Sequence, residues 1–290
     1  MSSIAADEGK LPTALCHYTT ASGLLGIVQS GSVFCSNIWF LNDAMEYRLG
    51  LSRIIAVFEQ EAANLAATNA LWGPIVGRLL DRLRFEQDNP SYTSSYVTSL
   101  STEIDQLSQW RAYSNGEGGY CLVFDYAALE SAARAQRCST MPCFYDEHNM
   151  QTMLNGCVLK LREISANLEE EAKAGLGPRV EKLLKWCFAN ACVFKDPSFV
   201  PEQEWRILGR INMREEAQLK YRVRGATLIP YHEVKLWDSS TLVECCLKRI
   251  VVGPARHQSL NRVAVEGLLR TNGLAERVAV DVSQTSYREL

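Results

Sequence analysis

Glu202-Gln203-Glu204-Trp205-Arg206 opens a stretch that continues Ile207-Leu208-Gly209-Arg210. Polar and apolar residues interleave from Glu204 to Arg210, which predicts a strand. If Pro201 starts that strand, Glu202 and Glu204 share one face and Trp205 points to the other, into a core. Two carboxylates so close repel each other, and burial raises the cost. A sequence tolerates this where one is exposed or where the pair does chemical work. Arg206 returns to the carboxylate face, placed to hold Glu204 in a bidentate pair. A salt-bridged surface strand and a functional carboxylate pair both fit these residues.

Working outward, Leu15 to Thr19 reads as a short strand and Ala21 to Ser30 as an amphipathic helix that Gly31 ends. Val33 to Phe40 reads as a strand rich in β-branched and aromatic residues. Asp43 and Glu46 have the spacing of a capping box for a helix reaching about Ala67. A further helix covers Leu71 to Glu86. Tyr96 to Leu100 is a strand, Asp105 to Tyr113 a helical turn, and Asn115 to Gly119 a glycine-rich turn into the strand Tyr120 to Phe124. That turn precedes a strand, so it reads as a hairpin or bulge and not as a phosphate loop. Ala127 to Ala135 is a short helix and Met141 to Tyr145 a strand. Met150 to Ala174 and Pro178 to Cys192 are helical, parted by Gly175-Leu176-Gly177. Lys220 to Ile229, His232 to Leu236, Ile250 to Val252 and Val278 to Val282 are strand-like, with a helix from Leu260 to Thr271. The expectation is a single α+β domain over residues 1–290, with a helical hairpin inserted at about 147–192.

The chain has 290 residues, 47% hydrophobic and 22% charged, with net charge −3. That balance excludes a global basic field for nucleic acid or acidic membranes, though Lys220, Arg222 and Arg224 alternate and would share one face of a strand. None of the ten cysteines forms a CxxC or a zinc spacing, so no metal is expected. No run of apolar residues approaches a membrane span, so no membrane contact is expected. The first ten residues lack the basic segment and apolar core of a secretory signal, and a cytoplasmic location with reduced thiols is expected.

A scattered set of polar residues stands in otherwise apolar surroundings: His17-Tyr18-Thr19, Asn42, Ser99 and Ser101, Trp110 and Tyr113, and Glu202, Glu204 and Arg206. His17 reads either as a core histidine with a satisfied ring or as a ligand to a substrate. Alternation sends His17 and Tyr18 to opposite sides of a strand, so both line one cleft only if the strand ends between them. Ser99 and Ser101 share a face, as an edge hydroxyl pair or as donors to a ribose or phosphate. Trp110 and Tyr113 are adjacent on a helical turn, as core packing or as a stacking wall.

At these residues the chain resembles a widespread bacterial family of unknown function. That family carries an HYT start, a later FLND with a nearby Glu, an S-x-S strand followed by W-x-x-Y and a glycine, and an ExEWR strand. Here these are His17 to Thr19, Phe40 to Asp43 with Glu46, Ser99 to Ser101, Trp110 with Tyr113, and Glu202 to Arg206. Ser286-Tyr287-Arg288 is similar to the family's ending. More distantly, the order of parts resembles the ADP-ribosyltransferase fold. That second resemblance implies a split mixed β-sheet gripping NAD as substrate. It implies that His17 bonds the adenosine-side ribose, that Ser99 supports the nicotinamide ribose, and that Trp110, Tyr113 or Tyr18 stacks on nicotinamide. Glu204 would stabilise the oxocarbenium-like transition state and Glu202 would orient or deprotonate the acceptor, for which protein, nucleic acid, a small molecule and water all stay open. The expectation is thus an NAD-consuming ADP-ribosyltransferase-like enzyme or NAD glycohydrolase, in the setting of a toxin or antiphage effector. The alternatives are a non-catalytic module binding a nucleotide or a partner, and a metal-independent nuclease using His17 and Glu204.

Overall fold

The computed structural model describes residues 11–41, 44–90, 95–113, 118–164, 168–169, 177–210, 219–238 and 245–285. Asn42, Asp43, most of the glycine-rich turn and Ser286 to Arg288 lie outside them, and with them the proposed cap and the Asn42 site. The strands are β1 (Ala14–Thr19), β2 (Ser32–Asn37), β3 (Ser95–Ser101), β4 (Tyr120–Asp125), β5 (Ser139–Pro142), β6 (Glu204–Arg210), β7 (Lys220–Arg224), β8 (Thr227–Lys235), β9 (Leu247–Val252) and β10 (Ala279–Val282). The main helices are α1 (Ala21–Ser30), α2 (Ala44–Thr68), α3 (Trp72–Asp88), α4 (Leu107–Tyr113), α5 (Tyr126–Ala135), α6 (Glu147–Glu163), α7 (Pro178–Ala191) and α8 (Gln258–Thr271).

All ten strands join one mixed sheet in the order β10-β9-β4-β1-β3-β2-β8-β7, with β6 and β5 attached through β3. Only β9 and β10 run parallel among these pairs. β3 is the branch point. One edge pairs with β6 along its whole length, from Ser95 opposite Arg210 to Ser101 opposite Glu204. The other edge pairs with β1 at one end, through Cys16 opposite Ser101, and with β2 at the other, through Val97 and Tyr96. Thr98, Ser99 and Leu100 pair with neither β1 nor β2, and the sheet is split there.

Strand alternation sorts the side chains into two large cores and a smaller cluster of Cys16, Tyr18, Trp110, Cys121, Val123 and Val251. On one side α2, α3, α6 and α7 bury a core that receives Val97 and Leu208 from the sheet. On the other, α1, α5 and α8 pack over Leu15, Tyr96, Leu100, Leu122, Ile207 and Ile250. The two helices expected as an insertion therefore do not stand apart; they complete a helical layer with α2 and α3. No helix among the described residues is long and apolar enough to cross a membrane.

The structure corrects several element boundaries. The strand expected at Val33 to Phe40 stops at Asn37, whose side-chain oxygen accepts the Trp39 amide at 3.0 Å and turns residues 38–40 into a 3-10 helix. The single strand expected from Lys220 to Ile229 is a hairpin, reversed at Gly225 with φ 57°. The strand expected at Met141 to Tyr145 is Ser139–Pro142. Glu202 is not on a strand: Pro197–Glu202 is a 3-10 helix, and Gln203 turns the chain through φ 42° before β6 begins. Trp205 does face the second core, edge-on to Tyr126 at 5.5 Å.

Glycine controls one close approach. A Cβ on Gly50 of α2 would lie 2.7 Å from the Ala191 carbonyl oxygen at the end of α7, so only glycine lets these helices touch. Gly77 of α3 meets nothing within 4 Å. Both substitutions to alanine gain helix propensity, so they are expected to diverge for one reason alone. Gly77→Ala should raise stability by up to about 1 kcal/mol, while Gly50→Ala should lower it by about 1–3 kcal/mol through overpacking. Urea unfolding of the two variants checks this.

Candidate functional site

The split in the sheet opens onto a cavity of about 630 Å³. Its wall brings together His17 and Thr19 of β1, Ser99 and Ser101 of β3, Tyr113 of α4, and Glu202 and Glu204. The antiparallel register causes much of this. Ser101 is opposite Glu204 and Ser99 is opposite Arg206, so the hydroxyl pair and the acidic strand share one face by hydrogen-bond pairing alone. His17 lies on the other face of β1, yet it reaches the same cavity because the sheet is open between β1 and β3. The rule that His17 and Tyr18 cannot line one cleft fails here for that reason.

His17 spans the gap. Its Nδ1 lies 2.9 Å from the Ser99 carbonyl oxygen, which can only accept, so Nδ1 carries the proton and Nε2 is the acceptor in the neutral ring. Burial lowers its pKa from the ordinary 6.5; the Ser99 carbonyl opposes this, and the Arg222 charge adds to the lowering. His17 is thus neutral at pH 7.

Lys195, which sequence reading passed over, is the centre of the acidic wall. It is buried, and its Nζ lies 2.5 Å from Glu202 Oε2 and 2.7 Å from Glu204 Oε2. Glu204 also receives Arg206 Nε on Oε1 at 2.8 Å and Arg206 Nη2 on Oε2 at 3.1 Å. Arg206 donates further to the Cys192 carbonyl and approaches Glu46 Oε2 at 3.9 Å. Glu46, read as a helix cap, therefore belongs to the ion-pair network of the E-x-E-W-R strand. The Glu204 amide is held by the Tyr145 hydroxyl oxygen at 2.8 Å. Burial alone would raise the Glu204 pKa; the charges of Arg206 and then Lys195 outweigh it and bring the carboxyl down to about 2. Glu202 differs. Its side chain is 21% accessible, against 5% for Glu204, and it meets only Lys195 among the described ion pairs.

Three expected site residues take other parts. Trp110 is fully buried, edge-on to Tyr18 at 4.8 Å with its Nε1 on Asp105 at 2.8 Å, so it is no stacking wall. Tyr18 borders the cavity, but its hydroxyl donates to the Glu103 carbonyl and accepts from the Gln106 amide, which fixes the ring against Trp110. Arg206 is buried behind Glu204 and supports it without lining the cavity. Tyr113, 41% exposed, is the aromatic of the pair that lies on the cavity wall. Ser101 donates to the Glu202 carbonyl at 2.7 Å and accepts from the Glu103 amide, so it positions the acidic wall. The Ser99 hydroxyl has no hydrogen-bond partner among the described residues.

Residues 109–207 match a family described as a protein of unknown function (DUF2971). The resemblance to a family of unknown function holds over that stretch, which contains Tyr113, Lys195, Glu202, Glu204 and Arg206. His17, Ser99 and Ser101 lie outside it. No curated protein and no solved structure matches the chain.

The acidic cluster sets a stability prediction. Glu204→Gln leaves Lys195 and Arg206 buried beside a neutral group and should cost about 3–5 kcal/mol at pH 7. Because the folded Glu204 pKa is depressed, its contribution is complete above 4.5 and is lost as pH falls toward about 2. The gap between wild type and variant should therefore close through that window in urea titrations. His17 adds a separate loss: its depressed pKa means that the unfolded chain takes up the proton first, and stability declines as pH falls below 6.5. His17→Gln should remove that limb.

Proposed function

We propose that the chain is an NAD-consuming enzyme of the ADP-ribosyltransferase type, and that its split sheet is a form of that fold. One observation carries the reading: His17, Ser99, Glu202 and Glu204, from three separated strands and a 3-10 helix, line a single cavity where the sheet divides. A cavity of this size is within the usual range for small-molecule sites, about 300–1,000 Å³.

In this reading Nε2 of neutral His17 accepts from a ribose hydroxyl, and the Ser99 hydroxyl serves the second ribose. Tyr113 stacks on the nicotinamide ring. The bond between nicotinamide and ribose breaks with its electron pair passing to the ring nitrogen, and positive charge develops on the sugar. Glu204 supplies a fixed negative charge that stays ionised across the physiological range. Lys195 and Arg206 hold it rigid but do not cancel the wall: Glu46, Glu202 and Glu204 face these two cations, three carboxylates against two. Glu202, the more accessible carboxylate, takes the proton from the attacking hydroxyl as its oxygen bonds to the ribose carbon.

A second reading, a non-catalytic nucleotide-binding module, draws on one feature. Both Glu204 oxygens are already bound by Lys195 and Arg206, which fill three of the about four acceptor positions of the carboxylate and leave little room for a ribose hydroxyl.

Nicotinamide release from NAD by purified protein separates the two. Catalysis predicts release by wild type and a loss of about 10²-fold or more in kcat for Glu202→Gln, with KM for NAD little changed. Calorimetric NAD binding without release supports the binding module, and neither binding nor release rejects both readings for NAD.

A further inference from the structure

Another part of the cavity wall is cationic. It is built by β7, whose Arg222 and Arg224 border the cavity on one face of the strand. Neither arginine has a carboxylate within ion-pair distance among the described residues. Lys220, the third cation of the strand, is instead paired to Glu233 on β8 at 2.9 Å. Arg222 reaches across the hairpin to donate from Nη2 to the Ser36 hydroxyl at 3.1 Å, while its buried Nε has no hydrogen-bond partner among the described residues. A guanidinium donor withdrawn from water and left unpaired is costly. A second arginine beside it adds repulsion. An anion arriving from outside relieves both.

The neighbouring wall has the same polarity. The first turn of α1 lies on the cavity through Thr20, Ser22 and Gly23; the Gly23 amide is capped by the Thr20 hydroxyl at 3.3 Å, and the helix N-terminus contributes partial positive charge. Gly26, one turn further, has nothing within 4 Å of a Cβ position, so this wall is open for a ligand to lie against. Phe34, stacked on Tyr231 at 4.1 Å and 37% exposed, adds an apolar surface to the cavity wall. The cavity is therefore polarised, with carboxylates at Glu202 and Glu204 and, at Arg222 and the exposed Arg224, cations without a carboxylate partner among the described residues.

We propose that Arg222 and Arg224, with the N-terminus of α1, form the phosphate-binding end of this cavity, and that its ligand carries a diphosphate. This rests on the reading that the cavity takes a nucleotide, but not on any transfer chemistry. Planar guanidinium groups suit the paired oxygens of phosphate, and two of them two residues apart match two linked phosphates better than one.

Calorimetry on the full chain tests this with NAD, ADP and nicotinamide riboside, the last lacking the diphosphate. The variants are Arg222→Gln, Arg224→Gln and the double change, with Lys220→Gln as a cation on the same strand that is already paired. The double variant should weaken NAD and ADP by roughly 50-fold, as expected for lost charge-assisted hydrogen bonds. It should leave nicotinamide riboside within about threefold, and Lys220→Gln should leave all three unchanged. ADP binding that depends on both arginines, with no NAD binding, keeps this inference and removes NAD as the substrate. NAD binding that survives the double variant, or an equal loss for the riboside, overturns the inference and leaves the NAD reading standing. Failure of wild type to bind either diphosphate also overturns it. Arg222→Lys, which keeps charge but loses the planar fork, should fall between wild type and Arg222→Gln.

Discussion

The buried guanidinium of Arg206 is the tie on which this architecture depends. It joins the sheet to the helical layer by reaching Glu204 on its own strand, the carbonyl that follows α7 at Cys192, and Glu46 in the first turn of α2. A charge with 1% side-chain exposure is tolerable only if its donors are satisfied, and they are satisfied only when these three elements are docked together. The close contact of α2 and α7 at Gly50 and Ala191 brings the same elements together by packing. Specific docking and the acidic wall of the cavity thus come from one set of ion pairs.

The second constraint is the branching of β3. A strand has two edges, and β3 gives one wholly to β6 while dividing the other between β1 and β2. The unpaired middle of that edge would leave backbone groups without partners. The structure answers with side chains across the gap: His17 binds the Ser99 carbonyl of β3, and the Thr98 hydroxyl of β3 donates to the Phe34 carbonyl of β2 at 2.9 Å. The cavity is the space that remains, and its polarity follows from which strands flank it. The β3–β6 ladder brings carboxylates, and the β7–β8 hairpin brings arginines.

Strand and helix positions were readable from alternation and from helical periodicity. The first strand, the helix that ends at Gly31, and the strands at Tyr96, Tyr120 and Glu204 stand where the pattern puts them. The misreadings occurred where a local side chain or a glycine overrode the pattern. Asn37 stopped a β-branched run by capping a 3-10 turn, and Gly225 folded a basic run back on itself. Trp110 and Tyr113 show a limit of another kind. Spacing places them on one helical turn but does not say which ring the core takes, and Tyr18 with Asp105 took Trp110.

By itself the sequence determined which residue types the site would use, because isolated polar residues within apolar strands must either be satisfied or serve a ligand. It also determined that Glu204 and Arg206 would share a face, since that follows from the two-residue period of a strand. Tertiary structure alone decided the partners. Lys195 carries no motif, and it entered the site because the turn after α7 delivers it between Glu202 and Glu204. Arg222 and Arg224 lie far along the chain from His17 and meet the same cavity only through the order of strands in the sheet. Strand order and register are set by how two cores close on either side of the sheet, and that information is distributed over the whole chain and not held in any local run of residues.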